Sequence, residues 1–192
     1  MLAPPLPPSG LHQYTLKGTR LLVDLDHFPF FVFRTYGVVD GDVLRLIYCL
    51  RDPCGYWAVD HGTQMWGIWD HKDTEIPDAA GRKSLTDIST AGDRHEGYLN
   101  ICHIVQRRLL RGVVNAITWV TGNQVQVEVT KTMAHAVRVA NQGYKARGIK
   151  PPAIPDDYIL AEWNESLPIQ HLTMDDIWWS LDNRGEQIAR PR

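Results

Sequence analysis

Three short segments of the 192-residue chain hold residue types from which a catalytic or binding site could be built. In the first, residues 21–27, an apolar run ends in Asp24, followed by Asp26 and His27. Such a run predicts a strand whose terminal carboxylate lies at the carboxyl edge of an α/β sheet, where open sheets bind ligands. Two carboxylates two residues apart on a strand point the same way and are spaced to share Mg²⁺. A strand that simply enters an Asp-rich turn gives the same pattern.

The second segment, residues 143–157, combines cations with an aromatic ring. Lys145, Arg147 and Lys150 follow Tyr144 within six residues. Cations beside an aromatic side chain suit phosphate contact and base stacking, and a lysine next to a scissile phosphate would stabilise developing negative charge. An ordinary basic loop has the same composition, so this segment alone does not decide between the two interpretations.

The third segment places two adjacent carboxylates at a predicted helix start. Thr173 has the position of an N-cap, and Asp175 and Asp176 follow it. Adjacent carboxylates can hold a divalent ion directly or through water. Acidic residues in a first helical turn also complement the helix dipole without any metal.

The net charge of −2 conceals an uneven distribution of charged residues. Residues 97–155 contain eight basic residues and one acidic residue, whereas the segments on either side are both net acidic. The middle of the chain therefore predicts contact with a polyanion beside carboxylates that hold metal. Arg107, Arg108 and Arg111 fall on the polar face of a predicted helix and are expected to contribute to that contact.

The elements expected to position these residues alternate between strand and helix. Apolar runs predict strands over 18–25 and 116–121, and spacing of three to four predicts an amphipathic helix over 96–114. A further edge strand, a short helix and a last helix are expected over 124–130, 133–143 and 174–188. The fold class is α/β, with a mainly parallel central sheet flanked by helices.

The organisation expected is a flexible, proline-rich lead-in over 1–12 and a single α/β domain over 13–192. Residues 38–95 are expected to form a β-rich insertion with a hairpin around 60–63. No apolar run reaches the length of a membrane span, and the start does not resemble a secretory signal. Three cysteines without metal-binding spacing suit a reducing compartment, so a cytoplasmic location is expected, in the host if the chain is phage-encoded.

The order of the three segments resembles the 5′-nuclease family, which includes flap endonucleases, the 5′→3′ exonuclease domain of bacterial DNA polymerase I and bacteriophage exonucleases. That family begins with an apolar strand ending in a metal-binding Asp, followed by a Tyr/Phe-Arg pair. Residues 21–24 and the Phe33-Arg34 pair resemble these features. Residues 144–155 are similar to the family's Tyr-Lys-x-x-Arg segment and its prolines, and residues 173–176 are similar to its Glu-x-Asp-Asp helix start.

The resemblance implies a Mg²⁺- or Mn²⁺-dependent DNA nuclease, in which metal-activated water attacks a phosphodiester in line. It implies catalytic roles for Asp24, Lys145, Asp175 and Asp176, and metal ligation by the three aspartates. The spacing of Asp26 from Asp24 adds Asp26 to the expected metal ligands. The substrate expected is single-stranded DNA or a flapped or nicked duplex. The expected nucleic-acid contacts are Arg34, Arg107, Arg108, Arg111, Tyr144, Arg147 and Lys150.

Two further hypotheses remain open. Thr173 stands where the family has Glu, and the family's later aspartate clusters do not occur within the 192 residues. A non-catalytic nucleic-acid-binding or phage assembly protein on a truncated nuclease-like scaffold is therefore the alternative, or a second chain completes the acidic site. The third hypothesis is a two-histidine phosphoesterase, which requires His61 and His171 to converge in one cleft.

Overall fold

A computed structural model describes residues 6–92, 97–120 and 126–177 of the chain. Eight strands and four helices follow one another through these residues. In chain order they are β1 (Leu11–Leu16), β2 (Thr19–Asp24), β3 (Phe30–Val38), α1 (Gly41–Asp60), β4 (Met65–Asp70), β5 (Thr74–Glu75), α2 (Ala79–Gly92), β6 (Tyr98–Ile104), α3 (Arg108–Val120), β7 (Gln126–Thr130), α4 (Met133–Ala146) and β8 (Ile169–Leu172). A single 3₁₀ turn, Met174–Asp176, follows β8.

The strands form one mostly parallel sheet in the order β7-β6-β4-β3-β2-β1-β8, with the short β5 paired to β3. Strand β2 pairs antiparallel with both of its neighbours, β1 and β3. The other pairs along the sheet are parallel. The expected α/β class with a mainly parallel central sheet flanked by helices is confirmed.

Helices cover both faces of the sheet, because its central strand is apolar on both sides. On β3, Phe31 and Phe33 pack into a cluster that includes side chains of α1 and α2, whereas Phe30 and Val32 pack against α4. We call the first side the α1–α3 face, since α3 also packs there through Ile117, and the second side the α4 face. No described helix is long and apolar enough to cross a membrane.

The expectation of a β-rich insertion over 38–95 is wrong in its detail. This range holds α1, of 20 residues, and α2, of 14 residues, and its six-residue strand β4 lies in the middle of the sheet. The predicted hairpin at 60–63 is the end of α1, where His61 is the C-cap. Helix α1 is buried around most of its circumference, so its apolar residues do not show the one-sided spacing that marks an exposed amphipathic helix.

The expected helix over 96–114 and strand over 116–121 are also wrong. The first part of that range is β6, in which Asn100, Cys102 and Ile104 alternate toward the buried α4 face. Helix α3 then extends over Arg108–Val120 and takes in most of the predicted strand. A parallel strand covered on both faces carries apolar residues at many spacings, and those at three and four resemble a helix.

Several other expectations are confirmed. Strand β2 lies within 18–25, β7 is an edge strand, and α4 continues three residues past its predicted end at Gly143. Thr173 and Asp176 form a reciprocal capping box at the start of the 3₁₀ turn. The remainder of the predicted last helix, from residue 178, lies outside the described residues, and so do residues 1–5 of the lead-in.

Two helical glycines differ in a way that tests this packing. A Cβ built on Gly143 of α4 would lie 2.1 Å from the Trp66 ring, whereas a Cβ on Gly112 of α3 meets no atom within 4 Å. We expect Gly143→Ala to destabilise the fold by about 1–3 kcal/mol through overpacking. Gly112→Ala should instead stabilise it by about 0.5–1 kcal/mol, because alanine favours the helix. Urea unfolding of both variants measures the difference, and equal effects would contradict the close α4–β4 contact.

Candidate functional site

The direction of β2 determines where the first predicted segment lies. Because β2 runs opposite to its neighbours, its last residue, Asp24, lies at the amino edge of the parallel strands and not at their carboxyl edge. The end of α4 reaches this same edge, where Tyr144 donates a hydrogen bond to the carbonyl of Gln64, just before β4, and the chain after α4 lies there as well, with Ala153 bonded to His27. The structure therefore brings the first and second predicted segments together.

Two hydrogen bonds occupy the Asp24 carboxylate. Its Oδ1 accepts from the Asp26 amide at 2.9 Å, and its Oδ2 accepts from the Tyr158 hydroxyl at 2.7 Å. Burial, together with the Asp24 carboxylate, raises the pKa of Tyr158. Asp26 accepts from the Gly10 amide, and the His27 ring bonds the carbonyl of Ala153. These aspartates thus fasten the lead-in and the proline-rich segment to the sheet.

The third predicted segment lies away from the other two. Strand β8 runs parallel to β1, and its last residue, Leu172, lies beside Leu16, about 17 Å along the strand from the residue of β1 that faces Asp24. Met174 and Ile177 pack on the α1–α3 face, whereas Asp24 contacts Tyr158 on the other. Asp24 and Asp175 therefore do not share an ion, contrary to the expected magnesium site.

Asp176 has a structural partner of its own. Its carboxylate accepts from the Thr173 amide at 2.7 Å and from the Thr173 hydroxyl at 2.8 Å, and these bonds lower its pKa. Among the described residues, no group of three or more His, Cys, Asp or Glu side chains is placed to hold a metal ion. The predicted set Asp24, Asp26, Asp175 and Asp176 does not fit a shared Mg²⁺, so we derive no metal-dependent step from it.

Two predicted nucleic-acid contacts are buried in the structure. Arg34 binds Asp70 through Nε at 2.9 Å and Nη2 at 2.7 Å, and its Nη1 lies 2.8 Å from Glu162. Tyr144 is fully buried between Phe30 and Trp66 on the α4 face. Neither side chain is placed to contact phosphate or to stack on a base, and both hold the sheet to its covering segments instead.

The other cations that were expected to contact nucleic acid are exposed, with the exception of Arg111. Arg107 and Arg108 are exposed at the start of α3, at the carboxyl edge of the sheet. Arg111 is partly buried and donates to the carbonyl of Val105 at 2.7 Å, which fixes it against the end of β6. Lys145, Arg147 and Lys150 are exposed where α4 reaches the amino edge.

Helix α4 presents a row of polar side chains to solvent. Ala136, Val137, Ala140 and Tyr144 form its buried side. His135, Arg138, Gln142 and Lys145 are exposed and fall within roughly 80° of the helix circumference. We call Lys131, Arg138, Lys145, Arg147 and Lys150 the α4 basic face. Residues 131–150 contain no carboxylate, and none of the ion pairs found among the described residues involves these five cations.

The histidines of the phosphoesterase hypothesis do not converge. His61 caps the end of α1, stacked on Trp57, next to the amino end of β4. His171 lies on β8 and bonds the Thr15 hydroxyl, on the far side of β1 and β2 from β4. Cys54 is buried, and burial raises the pKa of its thiol to about 12.

A different histidine pair was missed by the sequence analysis. His71 follows β4, His103 is the next-to-last residue of β6, and their Nε2 and Nδ1 atoms lie 2.8 Å apart. On the α1–α3 face, the His71 ring stacks on Trp69 with centroids 4.4 Å apart, and the His103 ring is tilted, 5.4 Å from Trp69. The feature that could have indicated the pair is the position of both histidines at the carboxyl ends of neighbouring strands. The expected helix over 96–114 includes His103 and therefore conceals this feature.

Burial keeps both rings of this pair neutral near pH 7. It lowers the pKa of His103 to about 4. Burial, reinforced by the neighbouring His103, lowers the pKa of His71 well below its ordinary value. One ring of the pair therefore donates the shared proton and the other accepts it.

Comparison with protein-family models, with curated proteins and with solved structures finds no match to this chain.

The histidine pair generates a pH-dependent stability. Because both pKa values are lowered by folding, the stabilising contribution of the neutral rings is complete above about pH 6.5 and is lost as the pH falls toward 4. For His103 the loss is on the order of 3 kcal/mol.

We expect His103→Gln to flatten the decline of unfolding free energy between pH 6.5 and 4, measured by urea unfolding. His135→Gln, at an exposed position, is the control and should leave the slope unchanged. Parallel curves for wild type and His103→Gln would contradict this.

Proposed function

We propose that this protein binds duplex DNA without sequence specificity, through the α4 basic face. The observation that carries the proposal is the exposed row of cations on α4 and its flanks, with no carboxylate from residue 131 to residue 150. This is the non-catalytic alternative of the sequence analysis, assigned to a defined surface.

The arrangement of charge suits a phosphate backbone. Lys131 precedes the helix, Arg138 and Lys145 lie two turns apart along it, and Arg147 and Lys150 continue past its end. The helical part of the row, from Arg138 to Lys145, is about 10 Å long, which corresponds to about three phosphates of one strand along the duplex axis. Other exposed lysines, such as Lys17, Lys72 and Lys83, are each paired with a carboxylate, whereas the described ion pairs leave the α4 basic face unneutralised.

Among the described residues, the exposed row on α4 has no Phe, Tyr or Trp ring on which a base could stack, and this favours duplex over single-stranded DNA. Tyr144, the aromatic residue expected to stack on a base, is buried under α4. Binding to single strands generally depends on such aromatic platforms, whereas a duplex presents its phosphates on the outside. Cations and Gln142 on a convex helix surface contact the backbone without reading bases.

The proposal stops at binding and does not extend to cleavage. The 5′-nuclease resemblance implies a shared site of Asp24, Asp175 and Asp176, yet the strand register separates Asp24 from the other two. Asp24 and Asp176 are also occupied by hydrogen bonds from neighbouring residues. In the structure, Asp24 attaches the segment after α4 through Tyr158, and Asp176 caps the 3₁₀ turn through Thr173.

A charge-matched pair of triple variants tests the interface. In the first, Lys131, Arg138 and Lys145 are changed to Ala; in the control, Lys17, Lys72 and Lys83 are changed to Ala. Both remove three positive charges, so a general electrostatic effect is equal in the two. Fluorescence anisotropy with a labelled duplex should show weaker binding for the first variant and a salt slope lower by about 2.7, since each lost phosphate contact removes about 0.9.

The control variant should retain the wild-type slope. Three results would contradict the proposal: no duplex binding by wild type at low salt, equal losses in the two variants, or binding to anionic phospholipid vesicles in place of DNA. Tighter binding to single strands than to duplex would contradict the choice of DNA form. Mg²⁺-dependent cleavage of a flapped duplex that Asp24→Asn abolishes would contradict the restriction to binding.

A further inference from the structure

A cavity of about 110 Å³ lies on the α1–α3 face, away from the α4 basic face. Its floor is the sheet, through Phe31, Phe33 and Trp69, and its roof is formed by apolar side chains of the three helices, including Leu44, Leu85 and Val114. The lining is mostly apolar, and it includes His71 and His103 at the carboxyl ends of β4 and β6. In open α/β sheets this end of the strands is where ligands bind.

The hydrogen bond between the histidines determines what the cavity offers a ligand. His71 is 95% buried, and its Nδ1 is sealed from solvent without a hydrogen-bond partner among the described residues. A buried N–H without an acceptor is rarer than a lone pair without a donor. His71 therefore carries its proton on Nε2 and donates it to Nδ1 of His103.

This assignment fixes the tautomer of the second ring. Because Nδ1 of neutral His103 accepts, its proton is on Nε2. That nitrogen makes no hydrogen bond to the described residues and, unlike Nδ1 of His71, is not sealed from solvent. His103 thus offers an N–H donor to a lining that is mostly apolar.

The buried arginine of the lining does not favour an anion. Arg51 binds the carboxylate of Asp52 through Nε at 2.7 Å and Nη2 at 2.6 Å, and its guanidinium lies over the rings of Tyr48 and Tyr98. Its charge is neutralised inside the protein. A neutral ligand with one acceptor matches both this lining and the histidine donor.

We propose that this cavity is a binding site for a small, neutral, mainly apolar molecule with one carbonyl oxygen, which accepts a hydrogen bond from Nε2 of His103. A cavity of about 150 Å³ holds benzene, which has six non-hydrogen atoms, so a ligand of this cavity of about 110 Å³ has about four to six. The site is independent of the proposed DNA interface, which lies across the sheet from it.

Two probes of equal size test the site on the full chain. Cyclopentanone has the carbonyl oxygen, and methylenecyclopentane replaces that oxygen with a CH₂ group. Titration followed by ¹H–¹³C NMR of the Leu, Ile and Val methyl groups should show both probes shifting methyls of the cavity lining, such as those of Leu85, Leu110 and Val114. The ketone should bind about three- to tenfold more tightly, the effect of one hydrogen bond.

His103→Phe should remove the preference for the ketone while the hydrocarbon still binds. Ile117→Trp, at a partly exposed lining position, should fill the cavity and weaken both probes. Equal affinity of wild type for the two probes would overturn the donor assignment. No saturable shift, or shifts confined to methyls elsewhere, would overturn the site. If His103→Phe does not fold, the comparison of the two probes on wild type and on Ile117→Trp decides the proposal, and the DNA titration remains a separate test.

Discussion

The burial of both faces of strand β3 is the constraint on which the rest of the structure depends. Seven consecutive residues, from Phe30 to Tyr36, are buried, so each face requires its own cover. The chain places α1, α2 and α3 on one side and leaves α4 with the segment after it for the other. Because one helix must cover that second face, it packs closely through Ala136, Ala140 and Gly143, and its opposite side faces solvent.

The antiparallel direction of β2 determines at which edge of the sheet Asp24 lies. An apolar strand ending in aspartate has the same sequence whether it runs parallel or antiparallel to its neighbours. Only the pairing with β1 and β3 shows that Asp24 lies at the amino edge. There its carboxylate is a hydrogen-bond acceptor for Tyr158, which attaches residues 150–158 to the sheet. The same antiparallel direction separates it from the 3₁₀ turn after β8.

What the sequence could predict follows from how each element is buried. Strand β7 and helix α4 have one exposed side, so their alternation and spacing are visible, and both were located correctly. Helix α1 and strand β6 are covered on most sides, and there spacing no longer separates helix from strand. The cations of the α4 basic face fall within the basic segment 97–155 that the charge distribution indicated. The pairing of His71 with His103 was not found, because it depends on two strands that are distant in the chain.

The sheet also divides the molecule chemically. On the α4 face, charged side chains at the carboxyl edge form ion pairs. Arg34 of β3 pairs with Asp70 of β4 and with Glu162 of the covering segment. On the α1–α3 face, the same edge carries two neutral histidines over an apolar cavity. Adjacent residues Asp70 and His71 are thereby assigned to opposite faces. A charged residue on the apolar α1–α3 face would be costly to bury without a partner. The carboxylate of Asp70 therefore lies on the α4 face, where Arg34 pairs with it, and the neutral ring of His71 lies on the α1–α3 face.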